Sequence, residues 1–111
     1  MYDWDVRKLL VVPTLFILMT AGASAADVKA GQTAYEKACK SCHGADGTPN
    51  PAMVKALKVD MRDLKSPEVQ AQSDDQLKKA ITAGTGKMKP VASVTGDSAN
   101  DVVAYMRTWK K

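Results

Sequence analysis

The sequence predicts an all-α domain preceded by an export signal, and three observations carry that expectation. Apolar residues recur at helical spacing, caps and stops punctuate the chain at short intervals, and no segment alternates with the period of two that a half-buried strand requires. At 111 residues the chain holds one domain, with neither an internal repeat nor a low-complexity tract.

Residues 1–25 have the anatomy of a secretory signal. Arg7 and Lys8 supply the positive start, Leu9 to Met19 the apolar run, and Ala23-Ser24-Ala25 the small-x-small cleavage pattern. The expected cut follows Ala25 and leaves 26–111 as the mature domain in the periplasm. An uncleaved anchor is the alternative, because the apolar run extended through Ala26 nearly reaches the ~20 residues that span a bilayer. No cysteine lies near the cut to carry a lipid.

Four helices are expected in the mature part. Asp27 to Cys39 places Val28, Gly31, Ala34, Tyr35 and Ala38 on one side and delivers Cys39 at its end. Gly44 to Pro51, GADGTPNP, is turn chemistry and reads as a loop. Ser66-Pro67-Glu68 has a cap residue before a proline at the first helical position, so a short second helix starts there. Ser73 and Gln76 stand as a capping box with acids between them, opening a helix through Leu77, Ala80 and Ile81 that stops at Gly84. Asp97 caps the last helix, in which Val102, Tyr105, Met106 and Trp109 fall at i, i+3, i+4 and i+7. Lys110 and Lys111 suit its C-terminal dipole.

The apolar inventory is thin for a folded domain. Beyond residue 25 there is no Phe, one Ile (Ile81), one Trp (Trp109) and three Leu (Leu57, Leu64 and Leu77). Domains this small often need added support from disulfides, a metal or a partner. Charge says less. The full chain has 16 basic and 12 acidic residues; the leader removes two of each, leaving the net at +4. With neither an Arg-rich stripe nor stacked aromatics, nucleic-acid binding is not expected.

Cys39-Lys40-Ser41-Cys42-His43 is C-x-x-C-H, the attachment signature of c-type haem. Two thiols three positions apart on one turn can each add to a haem vinyl group, and the next residue then lies under the porphyrin, where an imidazole nitrogen binds iron. His43 is the only histidine in the chain. Three other readings fit less well. A Cys39–Cys42 disulfide closes too short a loop to stabilise much. A thioredoxin-type pair belongs near a βαβ unit. A zinc site lacks a fourth Cys or His ligand. A covalently held porphyrin also supplies the missing core, so the haem-free chain is expected to be largely unfolded.

Four methionines compete for the opposite face of the iron. Met106 belongs to the apolar stripe of the last helix, and Met53 is too close in sequence to His43 to reach around the plate. Met61 sits among charged neighbours and remains an alternative. Met88 lies in GTGKMKP, where Gly84, Gly86 and Pro90 shape an irregular path across the cofactor, and it is the favoured distal ligand.

These features together resemble the class I cytochromes c, especially small bacterial monohaem forms and haem-c domains of respiratory enzymes. The resemblance covers Val28 to Trp109: the Gly31 and Tyr35 helix, Cys39 to Gly44, the proline loop, the Ser73 to Gly84 helix, Met88 and the Tyr105 helix. It implies a cytochrome c fold around one haem, held by Cys39 and Cys42 and ligated by His43 and Met88. It further implies that Gly31 packs against Tyr105, and that His43 donates its other ring nitrogen to the carbonyl of Pro49 or Pro51. The family often has Met followed by Pro; here Lys89 intervenes, which makes Lys87 and Lys89 alternative ligands.

A six-coordinate His/Met site implies a one-electron carrier serving redox partner proteins, not an enzyme. Alternatives are a haem-c subunit through which electrons enter a larger respiratory or dehydrogenase complex, and a five-coordinate sensor or peroxidase. Membrane contact would come only through such a complex or the uncleaved leader. Lys40, Lys55, Lys58, Lys87 and Lys89 are candidates for a rim that steers acidic partners, against the plainer reading of a solvated surface.

Overall fold

Six helices form where the caps and stops permit: α1 (Val28–Ala38), α2 (Lys40–His43), α3 (Pro51–Leu57), α4 (Pro67–Gln70), α5 (Asp74–Ala83) and α6 (Asp97–Arg107). They are seen in a computed structural model that describes residues 26–110. The expected signal segment, 1–25, and Lys111 lie outside the described residues. Among these the only β pairing is an isolated bridge between Thr85 and Met88, so the all-α expectation holds.

Asp27 caps α1, its carboxylate accepting from the Lys29 and Ala30 N–H groups. Its own N–H donates to Asp101 Oδ1 at 2.8 Å, joining the start of α1 to α6. The two helices cross at Gly31. A Cβ there would collide with the Asp101 carbonyl and stand 3.0 Å from Val102 N, so the backbones themselves touch. The close crossing of the two helices at Gly31 is thus present, with α6 backbone as its nearest neighbour. Tyr105 lies one turn further along α6 and meets Tyr35, while Trp109 closes an edge-on triad with centroid distances of 5.1 to 5.5 Å. Such pairs add about 0.5–1.5 kcal/mol each beyond the area they bury.

Two boundaries differ from expectation. α6 begins behind Gly96, whose φ is 55°, with no side-chain cap; Asp97 is instead the first helical residue. The Asn100 N–H reaches back to the Gly96 carbonyl, which moves the cap one residue upstream. The loop expected to run through Pro51 ends at Asn50, because Pro51 is the first residue of α3 and Asn50 its side-chain cap. Together with the single turn of α2, this raises the expected four helices to six.

The capping box of α5 is present in both directions, Ser73 N to Gln76 Oε1 at 2.9 Å and Gln76 N to Ser73 Oγ at 3.1 Å. Ser66 caps α4 ahead of Pro67. Buried Gln70 at the end of α4 donates to the carbonyls of Leu64 and Met106, and Arg107 bonds the Gln70 and Gln72 carbonyls and Asp74. That network clamps the α4–α5 corner to the end of α6, so the buried amide is satisfied. The core comprises Tyr35 from α1, Val69 from α4, Leu77 and Ile81 from α5, and Val102 and Met106 from α6, among others. α2 and α3 contribute no buried residue.

Candidate functional site

α1 ends at Cys39, where φ of −120° breaks the helix and starts the turn of α2. The N–H groups of Cys42 and His43 both return to the Cys39 carbonyl, at 3.2 and 2.9 Å. One backbone turn thus carries both thiols and the imidazole. The thiols are unpaired, Cys39 buried and Cys42 partly exposed. Burial, helped by the neighbouring Cys42, pushes the Cys39 thiol up to about 11. An exchange-active redox cysteine needs the opposite shift.

Burial lowers the His43 pKa, which favours the neutral imidazole that metal ligation requires. Its Nδ1 is buried with no hydrogen-bond partner, so the expected bond to the Pro49 or Pro51 carbonyl is not formed. The loop meets the motif through Asn50 instead: its N–H donates to the Cys42 carbonyl at 2.9 Å and its Nδ2 to the Ser41 carbonyl at 3.1 Å. Pro51 is already helical, and its carbonyl is directed along α3.

Tyr35 secures the exit from the turn. Its hydroxyl donates to the Gly44 carbonyl at 2.7 Å. Burial above all, then the nearby Cys39, Tyr105 and Asp46, holds the phenol far above its usual pKa, so it remains a donor. Beyond it, Lys65 Nζ reaches Thr48 Oγ1 at 2.6 Å and the carboxylates of Asp46 and Asp63 at 3.4 Å, and Leu64 N–H bonds the Gly47 carbonyl. The Asp46 carboxyl is held below its ordinary pKa, chiefly by the Thr48 N–H.

Met88 closes a four-residue turn. Its N–H donates to the Thr85 carbonyl at 2.9 Å and its carbonyl accepts from Thr85 N–H at 3.0 Å. Gly86 inside the turn has φ of 56°, and Gly84, which ends α5 just before it, has φ of 78°, conformations that favour glycine. Met88 is half-buried against the core. Met106 is 5 % exposed and belongs to the core, as its helical spacing predicts. Met53 and Met61 are half-buried on α3 and in the segment after it.

The residues fit a haem. Two free thiols share a turn with a neutral imidazole whose Nδ1 is unpartnered, and Met53, Val54 and Leu57 leave an apolar face on α3 that the protein covers only in part. Among the described residues no three His, Cys, Asp or Glu side chains converge as a metal cage, which disfavours zinc. Asn50 was not legible as a site residue, and Lys87, expected as an alternative ligand or a rim charge, instead donates its Nζ to the Leu57 carbonyl at 2.7 Å. For Asn50 the cap position before Pro51 was the available signal.

No described helix is long and apolar enough to cross a membrane. Residues 26–106 match the family model described as cytochrome c oxidase, cbb3-type, subunit III. The solved structure of the KustC0563 c-type cytochrome is similar, with a TM-score of 0.60 and 31% identity over 73% of this chain and 98% of that one. No curated protein matches the chain by sequence. Motif, helical fold and both matches coincide, and the chain belongs to the c-type cytochromes, in the family described as cytochrome c oxidase, cbb3-type, subunit III, whose domains hold haem c covalently.

Proposed function

We propose that the protein is an electron carrier and not an enzyme, with its haem attached through Cys39 and Cys42 and ligated by His43 and Met88. The observation that carries this reading is the single turn holding two free thiols beside a neutral, half-buried imidazole. When bound, the haem iron supplies a one-electron couple whose potential a thioether ligand and burial both raise. The side chains do the rest. Cys39 and Cys42 would fix the cofactor to the α1–α2 corner, Tyr35 and Asn50 hold that corner's carbonyls, and Met88, in its closed turn, would supply the thioether. Were His43 and Met88 both to hold the iron, they would leave no coordination place for a substrate. The leader at 1–25 would deliver the protein to the periplasm.

Visible spectra of the exported protein, oxidised and reduced, test the ligation. The reduced wild type is expected to be indifferent to carbon monoxide, whereas Met88→Ala should keep its haem and bind the gas. A Met88→Ala protein that still excludes carbon monoxide transfers the distal role to Met61. A wild type that binds it readily points to a sensor or peroxidase.

Lys40, Lys55, Lys58 and Lys89 are exposed on the segments that carry the site and would steer acidic partners. Replacing all four by Gln is expected to slow electron transfer with such a partner by about tenfold or more at low ionic strength and to flatten its salt dependence. An unchanged salt slope removes the steering role. The oxidase-subunit description of the matching family favours, as a second reading, a domain that passes electrons within a larger complex.

A further inference from the structure

We propose that α3 is a strap between the two axial-ligand segments and that Lys87 positions Met88 through it. This rests on the His43 and Met88 ligation proposed above.

α3 buries none of its seven residues, so packing against the protein's own core does not fix its ends. Two polar anchors do. At its start, Asn50 spends its backbone N–H on the Cys42 carbonyl, its Nδ2 on the Ser41 carbonyl and its Oδ1 on capping Ala52. The first two bonds tie the start of the helix to the turn that carries His43, and the third caps the helix on the same residue. At its other end Lys58 turns left-handed, with φ 51° and ψ 48°, and stops the helix with its last carbonyls unmatched within it. The Lys87 ammonium donates to one of them, on Leu57, at 2.7 Å from thirty residues away. A cation is favoured at that end by the helix dipole as well.

Lys87 adjoins Met88, and the Thr85–Met88 turn is closed by hydrogen bonds at both ends. A pull on Lys87 therefore moves Met88 as part of one rigid unit. Seven helical residues span about 10 Å, so the strap sets a fixed separation between the His43 turn and the Met88 turn. Lys89 flanks Met88 on the other side and makes no hydrogen bond or ion pair among the described residues. It carries the same charge beside the same ligand without the tie.

The test uses the haem-loaded protein and measures the rate at which carbon monoxide displaces the distal ligand from the reduced form. Lys87→Met is expected to raise that rate about fivefold, the equivalent of one hydrogen bond. Lys87→Arg and Lys89→Met should stay near wild type. Asn50→Ser keeps a capping oxygen but loses the amide donor, and should also accelerate binding about fivefold. A Lys87→Met rate equal to wild type overturns the strap, as does an equal acceleration by Lys89→Met, which would assign the effect to charge alone. A wild type that binds carbon monoxide as fast as Met88→Ala overturns the underlying ligation instead.

Discussion

With Cys39→Ala and Cys42→Ala combined, the exported protein is expected to carry no covalent haem and to be largely unfolded. Loss of attachment follows from chemistry, since no other thiol exists in the chain. Loss of structure follows from the core. α2 and α3 bury nothing, and the apolar side chains of α3 are half-open. Covering each 100 Å² of apolar surface contributes about 2.5 kcal/mol, against a net stability of about 5–15 kcal/mol for a whole domain. Removing the plate that covers α3 and the Met88 turn therefore takes away a large share of what holds the chain folded. Each single replacement leaves one thiol and should permit attachment through one thioether at reduced yield. A denaturing gel stained for haem and a far-ultraviolet dichroism spectrum check both parts. A haem-positive band from the double variant would sink the attachment assignment; a haem-free but fully helical chain would sink the claim that the cofactor completes the core.

The site was legible where its chemistry is local. C-x-x-C-H, the Ser73/Gln76 capping box and the apolar stripe with Met106 each depend on residues within about two turns, and the structure keeps them. Sequence pattern failed where a short polar feature competed with another reading. Asn50-Pro51 is a cap followed by a first-turn proline, yet it closes a stretch so rich in Gly and Pro that the loop reading absorbed it. Asp97 looks like a cap, but the Asn100 N–H chooses the Gly96 carbonyl one position upstream. Other features are tertiary and leave no local trace. The Lys87 bond to Leu57 spans thirty positions, the Tyr35 hydroxyl finds Gly44 only after α1 has turned into α2, and desolvation of His43 depends on what packs over it.

The α1–α6 crossing at Gly31 was anticipated from resemblance, and the atoms nearest to it decide what mutation should do. Against an aromatic ring, a methyl at Gly31 would be met by a side chain able to shift. Against the Asp101 carbonyl and the Val102 nitrogen it meets backbone that α6 holds in place. Gly31→Ala is thus expected to destabilise the haem-loaded protein, although alanine is the better helix former by about 1 kcal/mol. Overpacking costs about 1–3 kcal/mol where side chains can yield, and here the cost should exceed that range. The net loss of at least about 2 kcal/mol lowers the melting temperature of a domain this size by roughly 10 °C. Gly86→Ala provides the comparison: nothing lies within 4 Å of its Cβ position and only its φ of 56° is unfavourable, for a cost of about 1–2 kcal/mol. Thermal unfolding followed at the haem band should rank wild type above Gly86→Ala and Gly86→Ala above Gly31→Ala. If Gly31→Ala melts with the wild type, the two helices do not meet backbone to backbone, and the Asp27–Asp101 bond beside the crossing loses its role as the lock on that contact.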